Sequence, residues 1–462
     1  MAFLIGGANS LTDETYNVEN SCRFFSNTDL KRLPSSTGQS VRGTLSVWVK
    51  FCTDDTEMAI IGGWDNSGAD DDDGYMVFKR LSSGELQFNG GDDVYLKTTA
   101  KYRDVSAWYH IVLAIDSAQN SNNSQRIYVN GSEVTDFATR NNLTNLQDLP
   151  MNTTAGNDDA LLIGCDEDTG GKGLHFNGYM SEFFWIDSTQ YAASNFGETD
   201  GDTGIWIPKK GSDIVDDLTM GTNGVYLEFK QTGTGTASAS TIGADTSGND
   251  NHLTSTNLAA TDITEDTCTN NFCTWNPLDG TDLSDLTFSE GNTKVVNATG
   301  VCRGTLAAAS GKWYWEIKQI TTVDASNPIQ YGIADTEDSP PTHSSLNNAL
   351  IAYSDNALNH DIKKFANGTA SDVSMDEFTS ISANDIIMFA FDADTAKLWV
   401  GKNGTWLHSG NPAGGSNEVA STNAGNFFTP CLEHAGVTYT IESNFGNAPY
   451  AISSGNSDGN GY

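Results

Sequence analysis

Residues 384–403, NDIIMFAFDADTAKLWVGKN, decide the fold class of this 462-residue chain. Two short apolar runs flank the polar stretch from Asp392 to Thr395. Short apolar runs separated by turn-forming residues are typical of neighbouring β-strands. The stretch therefore predicts two strands joined by a turn.

The same pattern continues towards the N-terminus. Residues 44–51 (TLSVWVKF) alternate as a half-buried strand should. Residues 108–116 (WYHIVLAID) and 125–131 (QRIYVNG) predict a hairpin, with Asn130 and Gly131 as turn residues. Glycine is plentiful at 46 residues and aromatics make up 10% of the chain, which favours an all-β protein over a disordered one. The length favours two or three domains.

Five runs in residues 1–210 carry a family resemblance. In chain order they are TLSVWVK (44–50), WYHIVLAID (108–116), RIYVNG (126–131), LLIG (161–164) and FNGYMSEFFWID (176–187). This order resembles laminin-G-like, concanavalin-A-type jelly rolls. The resemblance implies a β-sandwich whose loops display a binding surface.

A second set of runs lies in residues 285–448. It comprises GKWYWEIK (311–318), QYGIA (330–334), the 384–403 stretch, NGTW (403–406) and NFG (444–446). This set resembles the SPRY domain, another concanavalin-like sandwich. The predicted fold class is therefore all-β, with two tandem concanavalin-like jelly-roll β-sandwiches joined by a Gly/Thr/Ser-rich segment.

Residues 211–284 are predicted to be that connecting segment, and residues 449–462 a flexible tail. Residues 232–247 are rich in Gly, Thr, Ala and Ser, as linkers and long loops are. VYLEF (225–229), DTSGNDNH (245–252) and NNFCTWNPL (270–278) lie in or near this stretch. Their order resembles an arrangement in virion structural proteins of marine bacteriophages, which implies a tailed-phage particle as the setting.

Charge limits the possible partners. The chain has 60 acidic and 24 basic residues, a formal net charge of −36. Such a surface repels phosphate backbones and anionic membranes, so neither nucleic-acid binding nor membrane insertion is expected. No apolar run is long enough to span a bilayer.

The cysteines and the first residues bear on the compartment. Seven scattered cysteines do not form the pattern of a disulfide framework and are interpreted as buried residues of a chain folded under reducing conditions. The start, MAFLIGGANSLTDE, lacks the basic region of a signal peptide. We expect synthesis in a host cytoplasm and release by lysis, with the protein on the virion surface.

The sequence lacks the marks of catalysis. A glycosidase on such a scaffold needs two neighbouring carboxylates, and neither E-x-D-x-E nor E-x-D-x-x-E is found. Glu182 and Glu316 stand alone in strands and are interpreted as solvent-facing. No histidine has the spacing of a metal ligand. We expect a protein that is not an enzyme and requires no cofactor.

Two kinds of binding site are predicted from loops. Asp71, Asp73 and Asp166 lie in acidic loops, whose oxygens suit calcium, although solvated acidic loops are the more common case. Glycan binding needs exposed aromatic faces near Asn or Asp. The candidates for it are Trp64, Asp65, Tyr95 and Trp406.

The first functional hypothesis is a non-enzymatic virion surface protein of a tailed bacteriophage, as a tail fibre, knob or head decoration. It would bind host-surface glycan or other virion proteins and associate with copies of itself. The alternatives are a polysaccharide-degrading depolymerase and a cellular adhesion protein.

Overall fold

The computed structural model describes residues 16–64, 75–90, 93–119, 121–143, 149–154, 160–168, 171–321, 329–338, 346, 348–354, 360–374 and 381–451. The chain divides between Asn271 and Phe272 into two compact units, called here the first and the second unit. Both units consist mainly of antiparallel strands. The prediction of an all-β fold is confirmed.

The described part of the first unit contains twenty strands and one α-helix, α1 (Gly211–Asp217). The strands are β1 (Ser21–Phe24), β2 (Asp29–Arg32), β3 (Arg42–Phe51), β4 (Met58–Trp64), β5 (Tyr75–Arg80), β6 (Glu85–Gly90), β7 (Asp93–Lys101), β8 (Trp108–Asp116), β9 (Gln125–Val129), β10 (Ser132–Glu133), β11 (Phe137–Arg140), β12 (Ala160–Ile163), β13 (Asp166–Asp168), β14 (Gly171–Gly173), β15 (Gly178–Ile186), β16 (Gly197–Thr199), β17 (Trp206–Pro208), β18 (Val225–Leu227), β19 (Thr254–Thr256) and β20 (Ile263–Thr264). Short 3-10 turns lie at Pro150–Asn152, Ala193–Asn195 and Ala260–Asp262.

Two eight-stranded sheets build the first unit. Sheet A has the order β10-β9-β8-β3-β15-β1-β20, with β18 also paired to β15. Sheet B has the order β11-β7-β6-β5-β4-β12-β2-β19. Leu45 and Val47 of sheet A and Phe78 and Phe88 of sheet B belong to one buried apolar core. The first unit is thus a sandwich of two antiparallel sheets.

Sheet A is covered on both faces. Strand β3 was predicted to be half-buried, yet every residue from Gly43 to Phe51 is buried. Apolar clusters on the outer face explain the difference. Trp48 of β3 packs there with Trp108 and Tyr179, and Phe196 and Ile214 pack over the neighbouring strands. Polar residues on this outer face therefore lie inside the protein.

The predicted hairpin of residues 108–131 is present. Strands β8 and β9 pair antiparallel. Asn130 and Gly131 have φ angles of 47° and 79°, and they make the turn from β9 to β10. Asn130 and Gly131 were correctly predicted to be turn residues, but their turn follows β9 and does not connect β8 with β9.

Residues 211–284 do more than connect the two units, because they contribute strands to both. Strands β18, β19 and β20 add to β15, β2 and β1 of the first unit. A buried ion pair strengthens the attachment, since Lys50 Nζ lies 2.9 Å from Asp266 Oδ2 and both side chains are fully buried. The segment from Phe272 onward belongs to the second unit.

The DTSGNDN stretch of that segment is a loop closed on Asp245. Its carboxylate accepts hydrogen bonds from the backbone N–H groups of Tyr226 (2.9 Å), Ser247 (2.9 Å) and Asn251 (2.8 Å). A carboxylate that satisfies several backbone donors fixes a turn without regular secondary structure. The motif therefore has a structural role in the first unit.

The described part of the second unit contains thirteen strands. They are β21 (Trp275–Thr281), β22 (Leu286–Ser289), β23 (Lys294–Gly304), β24 (Lys312–Gln319), β25 (Ile329–Asp335), β26 (Ala349–Ser354), β27 (His360–Ala366), β28 (Thr369–Ser374), β29 (Ile386–Asp392), β30 (Lys397–Lys402), β31 (Thr405–Trp406), β32 (Ala420–Ser421) and β33 (Phe428–Asn444). Two 3-10 turns lie at Leu283–Asp285 and Leu407–Ser409. Strands β29 and β30 form the hairpin predicted from residues 384–403.

The 17-residue strand β33 connects the strands of the second unit. Its first half pairs with β25, its last residues pair with β24, and β23 runs along its other side. The sheet order is β28-β27-β26-β25-β33-β24-β29-β30-β31. In the core, Trp315 stacks on Phe389 with ring centroids 5.1 Å apart.

Candidate functional site

The predicted calcium ligands are only partly described. Asp71 and Asp73 lie outside the described residues. Asp166 begins β13 and is 7% exposed, and its Oδ2 accepts a 2.7 Å hydrogen bond from the Tyr75 hydroxyl. Within the described ranges, no group of three or more His, Cys, Asp or Glu side chains has an arrangement that could hold a metal ion.

Two of the three first-unit residues predicted for glycan binding are described, Trp64 and Tyr95. Asp65 lies outside the described residues, and Trp64 is the half-buried last residue of β4. Tyr95 is 8% exposed and packs against Phe88 with centroids 6.1 Å apart. The prediction for Tyr95 is therefore corrected, because its ring faces the core and not a sugar.

Trp406 of the second unit has a different environment. Its half-buried ring meets the Tyr314 ring edge to face, with centroids 6.2 Å apart and an angle of 73° between the planes. Tyr314 is 51% exposed, which is unusual for a large aromatic side chain in a sheet. We call these two residues the aromatic platform.

The sheet register brings the platform together. Strands β29 and β30 separate Tyr314 on β24 from Trp406 on β31. Gly401 of β30 pairs with Trp406, and a Cβ at Gly401 would lie 3.0 Å from the indole ring. The missing side chain lets the indole lie close over β30, on the side towards β24.

Two polar groups border the platform. The Tyr314 hydroxyl donates a 2.6 Å hydrogen bond to Glu316 Oε1, and Asn444 Nδ2 donates one of 3.1 Å to Oε2. Exposed aromatic faces beside fixed carboxylate and amide groups can take a sugar ring and its hydroxyls.

A second arrangement of interest surrounds Glu182 in the first unit. Glu182 was interpreted as solvent-facing, but it is 4% exposed, because the outer face of sheet A is covered. The Tyr226 hydroxyl lies 2.9 Å from its Oε2, and the Tyr16 hydroxyl lies 3.1 Å from its Oε1. Burial raises the pKa of Glu182 to about 8, although these hydrogen bonds act in the opposite direction.

The Glu182 carboxyl forms part of the wall of a surface cavity of about 180 Å³. Tyr16, Glu19, Glu228, Lys210 and Lys230 also line this cavity. No sequence pattern brings these residues and Glu182 together, since they come from four separate parts of the chain.

Comparison with known proteins agrees with the fold. A family model described as the Concanavalin A-like lectin/glucanases superfamily matches residues 25–190. This match confirms the concanavalin-like assignment of the first region. A search of curated proteins found no match.

Solved structures similar to part of this chain include the SPRY domain of human HERC1, at 11% identity and a TM-score of 0.29, covering 37% of this chain and 96% of that one. A Bacteroides ovatus protein titled as carbohydrate-binding has 19% identity and a TM-score of 0.27, with 38% of this chain and 45% of that chain covered. The CBM40 of a Ruminococcus gnavus IT-sialidase, bound to α2,3-sialyllactose, has 12% identity and a TM-score of 0.26, with 37% and 92% covered.

None of the helices in the described ranges is long and apolar enough to cross a membrane.

Proposed function

We propose that the protein binds carbohydrate without cleaving it, and that the aromatic platform is the binding surface. The observation that carries this proposal is the exposed Tyr314 ring set edge to face against Trp406, with Glu316 hydrogen-bonded to the Tyr314 hydroxyl. The match of residues 25–190 to a superfamily of lectins and glucanases supports carbohydrate as a class of ligand for the first unit. The case for the platform, which lies in the second unit, rests on its own geometry.

The platform offers two kinds of contact to a sugar. The aliphatic face of a pyranose ring packs on the exposed phenol and indole, and the ring hydroxyls replace water at Glu316 and Asn444. Two rings and two polar groups support weak binding of about 4 kcal/mol, a dissociation constant near 1 mM. Detection therefore needs a surface that displays many copies of the glycan or of the protein.

Trp406→Ala and Tyr314→Ala should each weaken binding to a responsive glycan on such an array by about tenfold, because each removes one stacking face. Tyr314→Phe should have a smaller effect, since it keeps the ring and loses the hydroxyl bonded to Glu316. Phe427→Ala is the matched control, a 37% exposed aromatic of the same unit outside the platform. Equal binding by all four variants and the parent would rule out the platform.

Chelation of calcium separates this site from the predicted calcium loops. The platform binds through protein groups, so we expect EDTA to change glycan binding less than twofold. Loss of binding in EDTA, restored by added calcium, would favour the loops that contain Asp71, Asp73 and Asp166 and count against the platform.

A depolymerase is the alternative, because the superfamily that residues 25–190 match includes glucanases as well as lectins. Binding without cleavage is supported by the sequence, in which neither E-x-D-x-E nor E-x-D-x-x-E is found. Incubation with any glycan that binds should release no reducing ends. Release of reducing ends that Trp406→Ala abolishes would establish the enzyme instead.

We further infer that the protein acts on the surface of a tailed-bacteriophage particle, with other virion proteins and copies of itself as neighbours. The support is the resemblance of residues 225–279 to virion structural proteins. Mass spectrometry of purified particles, with antibody labelling to distinguish tail from head, tests this setting. Recovery of the protein only from cell envelopes would support the adhesion alternative.

A further inference from the structure

Glu182 lies where strand β15 changes partners. One side of β15 pairs with β1 at residues 178–180 and with β18 at residues 183–185. Across the strand, the register to β3 shifts between Ser181 and Phe184, a β-bulge. Glu182 has a φ of 48°, a left-handed conformation that is costly for a residue other than glycine. Residues held in such conformations cluster at functional sites.

The carboxyl joins three parts of the chain. It belongs to β15, Tyr226 belongs to β18, and Tyr16 precedes β1. Tyr226 fits because residue 211 is glycine: a Cβ there would lie 1.8 Å from the Tyr226 hydroxyl oxygen. The segment Tyr16–Asn20 is also held by the Val18 amide, which donates a 2.9 Å hydrogen bond to the Thr269 hydroxyl.

We propose that Glu182, Tyr16 and Tyr226 form a proton-controlled fastening that holds the segment Tyr16–Asn20 over the cavity, and that loss of the Glu182 proton releases this segment. A neutral carboxyl can donate to one tyrosine oxygen while it accepts from the other hydroxyl, so the cluster is satisfied without a buried charge. After ionisation the same site holds a buried anion, and the two tyrosine hydroxyl donors offset only part of its cost away from water.

The other charged groups near Glu182 do not remove this cost. Glu228, which follows β18, raises the Glu182 pKa further. The thiol of Cys268 has a raised pKa, mainly from burial and then from Glu182. Glu19, Lys210 and Lys230 line the cavity, but all three are exposed, and water screens their charges.

The direction of the pH effect follows from the raised pKa. The ordinary value is 4.5, and the value in the folded protein is about 8. The fastening therefore stabilises the held position of the segment Tyr16–Asn20 fully below pH 4.5. This stabilisation is lost as the pH rises towards and through 8. If the released segment exposes Glu182 to water, the equilibrium for release grows by roughly two orders of magnitude between pH 6 and pH 9.

Hydrogen exchange of the Val18 amide, measured at pH 6 and pH 9, tests the proposal. Glu182→Gln keeps the shape of the side chain but cannot ionise, so the ratio of wild-type to variant exchange cancels the intrinsic pH dependence of exchange. We expect this ratio to rise about 100-fold from pH 6 to pH 9. Glu228→Gln is the matched control, a neighbouring carboxyl whose loss should leave most of the rise in place.

Two further measurements keep the test decisive if Glu182→Gln folds poorly. Tyr16→Phe removes one hydroxyl and should speed Val18 exchange at pH 6, where the fastening is closed. In the wild type, an infrared band of a protonated carboxyl should disappear with a midpoint near pH 8, together with the change in exchange; Asp187, whose pKa burial raises to about 6, loses its proton at lower pH. An exchange ratio that stays constant with pH, or a band already absent at pH 6, would overturn the proposal.

Discussion

Asp266→Ala should lower the free energy of unfolding of the first unit by about 3–5 kcal/mol, because it leaves the ammonium group of Lys50 buried without its counter-ion. Both side chains are fully buried, with Nζ 2.9 Å from Oδ2. The Trp108 indole N–H, 3.1 Å from Oδ1, also loses its acceptor. For a unit of this size the loss corresponds to a fall in melting temperature of roughly 10 °C.

Hydrogen exchange of the central strands gives the measurement, since it reports each unit separately. Amides of β3 and β8 should lose protection, whereas those of β24 and β29 should keep it. Glu133→Ala is the control, because its ion pair with Arg126 is 3.8 Å long and exposed, and such pairs contribute at most about 1 kcal/mol. If Asp266→Ala and Glu133→Ala lowered the stability of the first unit by equally small amounts, residues 263–271 would not be the integral part of that unit that we describe.

The double substitution Lys50→Met with Asp266→Leu distinguishes lost charge pairing from lost packing. Apolar side chains of similar size often replace a buried ion pair without loss of stability. We therefore expect the double variant to recover most of the stability that Asp266→Ala removes.

Trp275→Ala should destabilise the second unit by a similar amount, about 3–5 kcal/mol, through the cavity that it leaves. The indole is fully buried, donates a 2.8 Å hydrogen bond to the Ser443 hydroxyl, and meets Phe445 edge to face at 5.3 Å. These contacts connect the first strand of the unit with the end of β33 and the residue after it. Amides of β24 and β29 should lose protection in this variant, and those of β3 and β8 should not.

Trp313→Ala provides the comparison within the same unit. Its side chain is 36% exposed, so truncation creates no closed cavity, and the loss should be well below that of Trp275→Ala. If Trp275→Ala lowered the free energy of unfolding of the second unit by no more than Trp313→Ala does, this would contradict the placement of residues 272–281 in this unit.

Local patterns predicted the strands that have strong turn signals at their ends. The 384–403 hairpin and the β8–β9 pair could be predicted because apolar runs and turn residues are short-range properties. Residues 211–271 are different. Their Gly, Ser and Thr content is typical of a linker, yet Asp245 and the short strands fix them to the sandwich through distant hydrogen bonds.

The two arrangements of interest were predicted unequally. Trp406 follows an Asn-Gly turn and was recognised, whereas Tyr314 stands between two tryptophans whose strand suggested a core. Its exposure depends on which face of β24 is covered. Glu182 was missed because β15 is buried on both faces and bulged, so alternation no longer indicates the environment of a side chain.

The length of β33 determines when the strands of the second unit can find their partners during translation. Because this strand is the common neighbour of β23, β24 and β25, none of the three has its full set of partners until residues 428–444 have been translated. The nascent second unit therefore presents unpaired edges, surfaces that favour aggregation and that chaperones protect. The first unit is complete much earlier, once residues up to Asn271 have been translated. A chain whose translation stops between these two points carries a finished sandwich followed by an unfinished sheet.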